Sequence, residues 1–265
     1  MSSHPTELEP AAQSREFAEI TPDQIAAWQA ELAGKQPYHI MAHALTHFGT
    51  DLRISFSGAE DVLLIDLAAQ IAGAELSVFC LDTGRLHPET YTFIEEVRQR
   101  YGIAIDVMSP NADAVQTLVR TKGLLSFRTD GHKECCGIRK VEPLGRALAG
   151  FPAWATGQRR DQSPDTRADV PVVQLDIGHS WAHGPGSPRP MVKYNPLAGW
   201  SSAEVWRFIR GAGLPYNKLH ERGFISIGCE PCTRPVLPGQ HEREGRWWWE
   251  AAEGKECGLH VVDER

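Results

Sequence analysis

Between residues 52 and 156, short apolar runs alternate with amphipathic stretches of ten or more residues, a pattern that restricts the chain to βαβ units and a mostly parallel sheet. Residues 52–56 read as the first strand, and a Ser/Gly turn then opens a helix carrying Val62, Leu63, Ile65, Leu67, Ala68 and Ile71. Residues 74–81 form the second strand, 88–101 a helix, 103–108 the third strand and 111–121 another helix. Ile138, Val141, Leu144 and Leu148 recur at helical spacing, which places one helix over 134–149, ahead of a short strand at 153–156. Open sheets of this kind bind ligands outside the carboxyl ends of their strands. The loops at 55–60, 80–87 and 156–167 are therefore where a site is expected.

The flanks are less regular. Residues 1–35 read as a polar arm with a short helix starting near Thr21-Pro22-Asp23, residues 36–225 as the α/β domain, and residues 226–265 as a tail. A stretch rich in Pro, Gly, Ser and Asp at 162–190 reads as an excursion with one strand-like run at 172–177. Ser201-x-x-Glu204 is a capping box, with Trp200 and Val205 placed to staple the helix start. A hydrophobic content of 42% supplies a full core, yet no run approaches the roughly 18 apolar residues of a membrane span. The first residues lack the basic and apolar regions of a secretory signal, so the expected compartment is the cytoplasm, where thiols stay reduced. A net charge of −7 argues against a nucleic-acid binder, while basic residues gathered at 159–167 and 241–260 point to a small anionic ligand.

Reduced cysteines turn attention to metal and catalysis. Adjacent Cys135-Cys136 would close a strained disulfide ring, whereas Cys229-x-x-Cys232 is a loop that wraps a metal centre. Together they form a four-thiolate set suited to an iron–sulfur cluster or a zinc ion. Cys80 ends an apolar run and reads as a small core residue. Cys257 stands apart in Lys255-Glu256-Cys257-Gly258-Leu259-His260, a polar setting in which a thiolate can act as a nucleophile. Ser55-Phe56-Ser57-Gly58-Ala59-Glu60-Asp61, between a strand and a helix, exposes backbone N–H groups and hydroxyls to an anion.

With these motifs stand Leu81-Asp82-Thr83-Gly84-Arg85, Cys135-Cys136-x-x-Arg139-Lys140, Gly157-x-Arg159-x-x-Gln162-Ser163 and Arg243-x-x-Arg246-Trp247-Trp248-Trp249. The set resembles the assimilatory sulfonucleotide reductases, of the iron–sulfur, thioredoxin-dependent adenylyl-sulfate (APS) type, within the PP-loop superfamily. The resemblance implies a PP-loop parallel sheet with helices on both faces and a mobile C-terminal tail. It implies one 4Fe-4S cluster per chain on Cys135, Cys136, Cys229 and Cys232. It also implies a nucleophilic Cys257, assisted by His260, Lys140, Arg243 and Arg246, and a nucleotide site at Ser55, Ser57, Gly58, Asp61, Leu81, Asp82, Gly157 and Arg159. Lys140, Arg243, Arg246 and His260 would also contact the substrate.

The implied reaction converts APS to sulfite and AMP through an S-sulfocysteine, with thioredoxin or glutaredoxin as electron donor, in sulfate assimilation and cysteine biosynthesis. Relatives are dimers or tetramers, so a homo-oligomer is expected, with neither nucleic acid nor membrane as partner. Other readings are a PAPS or dual APS/PAPS reductase, an ATP-using PP-loop enzyme acting on tRNA, and a cluster-bearing nucleotide-binding regulator. The Ser-Gly-Ala-Glu-Asp-Val run lacks the terminal hydroxyl of the ATP-using relatives, which argues against that second reading.

Overall fold

The computed structural model describes residues 19–163, 166–181 and 189–250. Its strands are β1 (Leu52–Ser55), β2 (Ser77–Leu81), β3 (Ile105–Met108), β4 (Ala153–Ala155), β5 (Val173–Trp181) and β6 (Arg189–Tyr194). They hydrogen-bond into one sheet in the order β3-β2-β1-β4-β6-β5, parallel throughout except for the antiparallel β5–β6 pair. The chain runs outward from β1 through β2 to β3, then returns to β4 on the other side of β1. The loops leaving β1 and β4 thus diverge at neighbouring strand ends, the switch point at which such sheets open a crevice.

The helices are α1 (Pro22–Leu32), α2 (Pro37–Phe48), α3 (Ala59–Ala72), α4 (Pro88–Tyr101), α5 (Ala112–Lys122), α6 (Lys133–Cys136), α7 (Glu142–Leu148) and α8 (Ser202–Gly211). Strand side chains alternate between two cores. Leu52, Ile54 and Val78 pack with residues of α1 to α4 and α8, whereas Phe79, Trp154 and Met191 pack with Leu144, Ala147 and Leu148 of α7. Helix α3 is buried along nearly its whole length because Val62, Leu63, Leu64, Ile65 and Leu67 leave it no polar face. No helix among the described residues is long and apolar enough to cross a membrane.

Sequence and structure part in three places. Helix α2 was not foreseen, and with Ile25 and Leu32 of α1 its Ile40, Met41, Ala44 and Phe48 belong to the main core. The stretch from Thr21 onward is therefore part of the body, joined to β5 by a hydrogen bond from Gln29 Nε2 to Val173 O (2.8 Å). The helix read over 134–149 is interrupted by a π-helical turn, Gly137–Val141. The segment at 162–190 is no simple excursion: it holds β5 and the start of β6, whose pairing with β4 extends the parallel sheet. The capping box at Ser201 is present, with Ser201 Oγ and Glu204 each closing on the other's backbone.

Candidate active site

Asp61 assembles the loops at the switch point. Its Oδ2 accepts from Ser57 N (2.7 Å), Ser57 Oγ (2.8 Å) and Gly58 N (3.0 Å), and its Oδ1 accepts from Gly157 N (3.0 Å). One carboxylate in the first turn of α3 therefore ties the loop after β1 to the loop after β4. Burial, and then the neighbouring Glu60 charge, push the Asp61 carboxyl up to about 6 against the pull of these hydrogen bonds. The approach is close enough to require glycine at 157, since a Cβ there would lie 2.6 Å from Asp61 Oδ1.

Above these loops lies a cleft of about 200 Å³. Ser55, Ser57, Gly58, Asp61, Leu81, Gly157, Lys140, Arg243 and Arg246 all line it, so most of the residues expected at the nucleotide converge on one space. Asp82 and Arg159 stand outside the lining. Asp82 Oδ1 instead accepts from Gly84 N (2.8 Å) and Tyr91 Oη (2.9 Å), stabilising the turn after β2. Arg159 is buried and its fork meets carboxylates: Nη2 donates to Glu60 Oε1 (2.9 Å) and Glu242 Oε2 (3.0 Å), and Nη1 to Asp161 Oδ2 (3.2 Å). Burial alone would raise the Glu60 carboxyl, and Arg159 overrides it, holding Glu60 below the usual range. Cys257 and His260 lie outside the described residues.

The cleft also holds Arg167, from the basic cluster at 159–167, and residues to which the sequence assigned no role in the site: Glu60, Thr83, His220 and Glu242. Thr83 and Glu60 sit inside motifs already singled out, but nothing local marks Glu242 except its place before Arg243. His220 Nδ1 meets Phe224 O at 2.8 Å, and because a carbonyl can only accept, Nδ1 carries the proton. Burial lowers its pKa and favours the neutral ring.

Beside the cleft, Cys135, Cys136, Cys229 and Cys232 line a second, small cavity with Phe127, His132 and Trp247. The π turn after Cys136 carries Arg139 and Lys140, both buried. Arg139 Nη1 donates to Thr83 O (2.6 Å), and Lys140 lines both the cysteine cavity and the cleft. A π turn adds a residue to one helical turn, and such turns recur at functional sites. Cys229 Sγ lies 3.2 Å from Thr83 Oγ1, the thiol donating while protonated and the hydroxyl donating to it once it ionises. Burial opposes its ionisation, but Lys140, then the Thr83 hydroxyl, Arg246 and Arg85, hold it below its ordinary value. Burial pushes the Cys135 thiol up and drives that of Cys232 up to about 12. Buried thiols of that kind ionise readily only when a bound cation replaces the proton, so the donor set fits a thiolate-bound metal group. Among the described residues, no three His, Cys, Asp or Glu side chains close to the spacing of a single ion.

The tryptophan run anchors the segment entering the tail. Trp247 is buried, stacks on His132 with ring centroids 4.1 Å apart, and lies under the Arg246 guanidinium at 4.4 Å. His132 is fixed in turn by Glu250, whose Oε2 meets Nδ1 at 2.6 Å and whose Oε1 accepts from His132 N (2.9 Å). Arg246 passes so near Gly228 that a Cβ there would lie 2.4 Å from its Nη2.

Comparison with known proteins follows the same lines. Residues 51–235 match the phosphoadenosine phosphosulfate reductase domain. An adenosine 5'-phosphosulfate reductase of Pseudomonas aeruginosa (strain LESB58) is 58% identical over 257 residues, 97% of this chain and 94% of that protein. A protein named adenosine 5'-phosphosulfate reductase from Burkholderia cepacia is 48% identical, covering 77% of this chain and 78% of its own. A probable 5'-adenylylsulfate reductase 1, chloroplastic, of Oryza sativa subsp. japonica is 59% identical over 87% of this chain, which spans 48% of that protein. Among solved structures, a phosphoadenylyl-sulfate reductase from Candida auris superposes with a TM-score of 0.65 at 22% identity, covering 83% of this chain and all of its own, a likeness of fold.

Proposed function

The chain belongs to the phosphoadenosine phosphosulfate reductase domain family, and from that premise we propose that it reduces adenosine 5′-phosphosulfate to sulfite and AMP. The observation that carries this reading is Lys140, which lines both the cleft and the cysteine cavity. The nucleotide's phosphate would lie beside the Ser55 hydroxyl and the first turn of α3, where the helix dipole favours an anion, over a loop whose Ser57 and Gly58 N–H groups are held by Asp61. Lys140, Arg243 and Arg246 would surround the phosphosulfate and offset the repulsion met by an approaching thiolate.

Cys257 would supply the nucleophile from the tail, with His260 beside it in the sequence. Its thiolate attacks the sulfate sulfur, the bond from sulfur to the bridging oxygen breaks, and AMP leaves with that electron pair. The sulfonated Sγ is then attacked by a dithiol such as thioredoxin. Sulfite departs with the electrons of the Sγ–sulfonate bond, leaving a mixed disulfide between Sγ and the donor, and the donor's second thiolate then displaces the Cys257 thiolate and closes the donor's disulfide. The tail must reach the cleft for the first step and a partner protein for the second. Cys135, Cys136, Cys229 and Cys232 would hold a 4Fe-4S cluster, which when bound supplies fixed charge beside Lys140. The reading places the enzyme in a reducing, cytoplasmic compartment as a homo-oligomer, in sulfate assimilation and cysteine biosynthesis.

The test is an anaerobic single turnover with sulfur-35-labelled APS and no thioredoxin, on the wild type and Cys257→Ser. The expected result is label bound covalently to the wild type alone and released as sulfite when thioredoxin is added. Wild type with intact nucleotide binding but no covalent label would overturn the thiol mechanism and favour a nucleotide-binding regulator.

A further inference from the structure

The segment that brings Arg243 and Arg246 to the cleft is held unequally along its length. Its second half is pinned through the backbone: Arg234 N donates to Gly245 O (3.0 Å), Trp247 N to Cys232 O (3.1 Å), and Thr233 pairs with Arg246 as a β-bridge. Its first half, a turn in which Glu244 N donates to His241 O (3.0 Å), reaches the body of the protein through Glu242. Glu242 Oε1 and Oε2 accept from Arg159 Nη2 at 3.3 and 3.0 Å across 83 residues of sequence. The side chain of Arg159 is 1% exposed and that of Glu242 17% exposed, so water screens the pair poorly.

We propose that Glu242 is a positioning residue: by clasping the buried Arg159 guanidinium it sets the turn that carries Arg243 at the cleft, while Arg246, whose N–H donates to Arg243 O (2.9 Å), is also held by the 232–234 backbone. The clasp rests on the reductase reading for its consequence in turnover, but not for its existence. It also accounts for an otherwise awkward charge distribution. Glu60 and Glu242 both line a cleft meant for an anion, and one guanidinium standing behind the wall pairs with both and offsets part of their charge. Arg159 thereby acts on the ligand by cancelling carboxylates rather than by touching it. The third carboxylate, Asp161, also accepts from Ser202 N (2.9 Å), which ties the clasp to the start of α8.

Positioning by Glu242 makes a prediction that bulk stability does not. In full-length cluster-bearing protein, Glu242→Ala should lower kcat/KM for APS by on the order of 10–100-fold, the scale of a misplaced binding group. Its effect should overlap with that of Arg243→Ala, so that the double variant is scarcely worse than Arg243→Ala alone. Combined with Arg246→Ala, its effect should multiply in full. Glu242→Gln, which keeps an acceptor oxygen but no charge, should fall between wild type and Glu242→Ala. Hydrogen exchange on the same proteins without ligand should quicken at 240–244 and stay unchanged at 245–247. Unaltered exchange at 240–244, or effects of Glu242 and Arg243 that multiply in full, would overturn the clasp. A wild type that releases no sulfite would sink the reductase reading, and the exchange map would then decide the clasp by itself.

Discussion

Gly157 offers the most direct test of how the two switch-point loops are joined. An alanine Cβ at 157 would meet Asp61 Oδ1 and Glu60 Cβ, each at 2.6 Å, and the Glu60 carbonyl carbon at 3.2 Å. All three atoms belong to the first turn of α3, a helix packed on nearly every side, so the contact cannot be relieved by turning one flexible side chain. Either α3 or the 157 loop must move, and the Gly157 N–H bond to Asp61 stretches in both cases. Overpacking costs about 1–3 kcal/mol and a hydrogen bond to a charged group about 1.5–3 kcal/mol. Against these, the entropy alanine removes from the unfolded chain returns about 0.4–1 kcal/mol. Gly157→Ala should therefore lose about 3 kcal/mol, a fall of roughly 6–12 °C in Tm for a chain of this size. Urea unfolding followed by circular dichroism measures the first quantity, and AMP titration shows whether the cleft is disturbed with it. A variant within about 0.5 kcal/mol of wild type, binding AMP equally well, would refute the close approach.

Other consequences are as definite. The folded Asp61 carboxyl, at about 6, lies above its ordinary value of 3.8, so its contribution to stability is complete below the unfolded value and lost as pH rises through the folded one. Measured against Asp61→Asn, wild type should lose up to about 3 kcal/mol of relative stability between pH 4 and pH 6.5, and a flat difference would contradict the burial argument. The Cys80 thiol is pushed up to about 12 by burial, then by Asp82 and Asp106, so mass spectrometry should find it unalkylated by iodoacetamide at pH 8 until the chain is unfolded. Trp247→Ala removes a buried ring from between His132 and Arg246, at a cost of about 3–5 kcal/mol in unfolding experiments; a loss under 1 kcal/mol would show that the stack anchors nothing. Wild type isolated without oxygen should contain about four iron and about four sulfide per chain, both reduced severely by Cys232→Ser.

What the sequence disclosed and what it withheld divide along physical lines. The parallel sheet announces itself because each strand and helix carries its own local period, and the capping box at Ser201 is complete within four residues. The loop at 55–61 and the cysteine pairs are likewise short runs whose chemistry depends on close spacing. Strand β6 escaped because Pro190 and Lys193 interrupt its apolar character, and the buried Lys193 lies over the Trp154 ring at 5.1 Å. The π turn at 137–141 escaped because its apolar residues keep ordinary helical spacing. The family resemblance implies Arg159 as a nucleotide ligand. Its actual partners, Glu60 and Glu242, lie 99 and 83 residues away, and no local pattern carries such pairings.

The same distinction explains why this cleft contains carboxylates. A positive helix end for a phosphate comes directly from topology, because the loop after β1 ends at the start of α3. Cations do not, and here they arrive from separate segments: Lys140 from the π turn, Arg167 from the loop beyond β4, and Arg243 and Arg246 from the approach to the tail. Each needs a tether that holds in the empty site, when no anion is present to organise it. A buried hydrogen bond or ion pair provides one, and around a cationic segment the partner that fits is a carboxylate. Acidic groups are therefore a consequence of building an anion site from distant cations. Their harm to affinity is limited so long as each is spent on a partner, as Asp61 is on N–H groups and Glu60 on Arg159. An anion site assembled in this way should lose more from removing a tether such as Arg159 than from removing a carboxylate that it neutralises. Arg159→Met is thus expected to weaken AMP binding more than Glu60→Gln does, and the reverse order would mean that the carboxylates themselves bind the nucleotide.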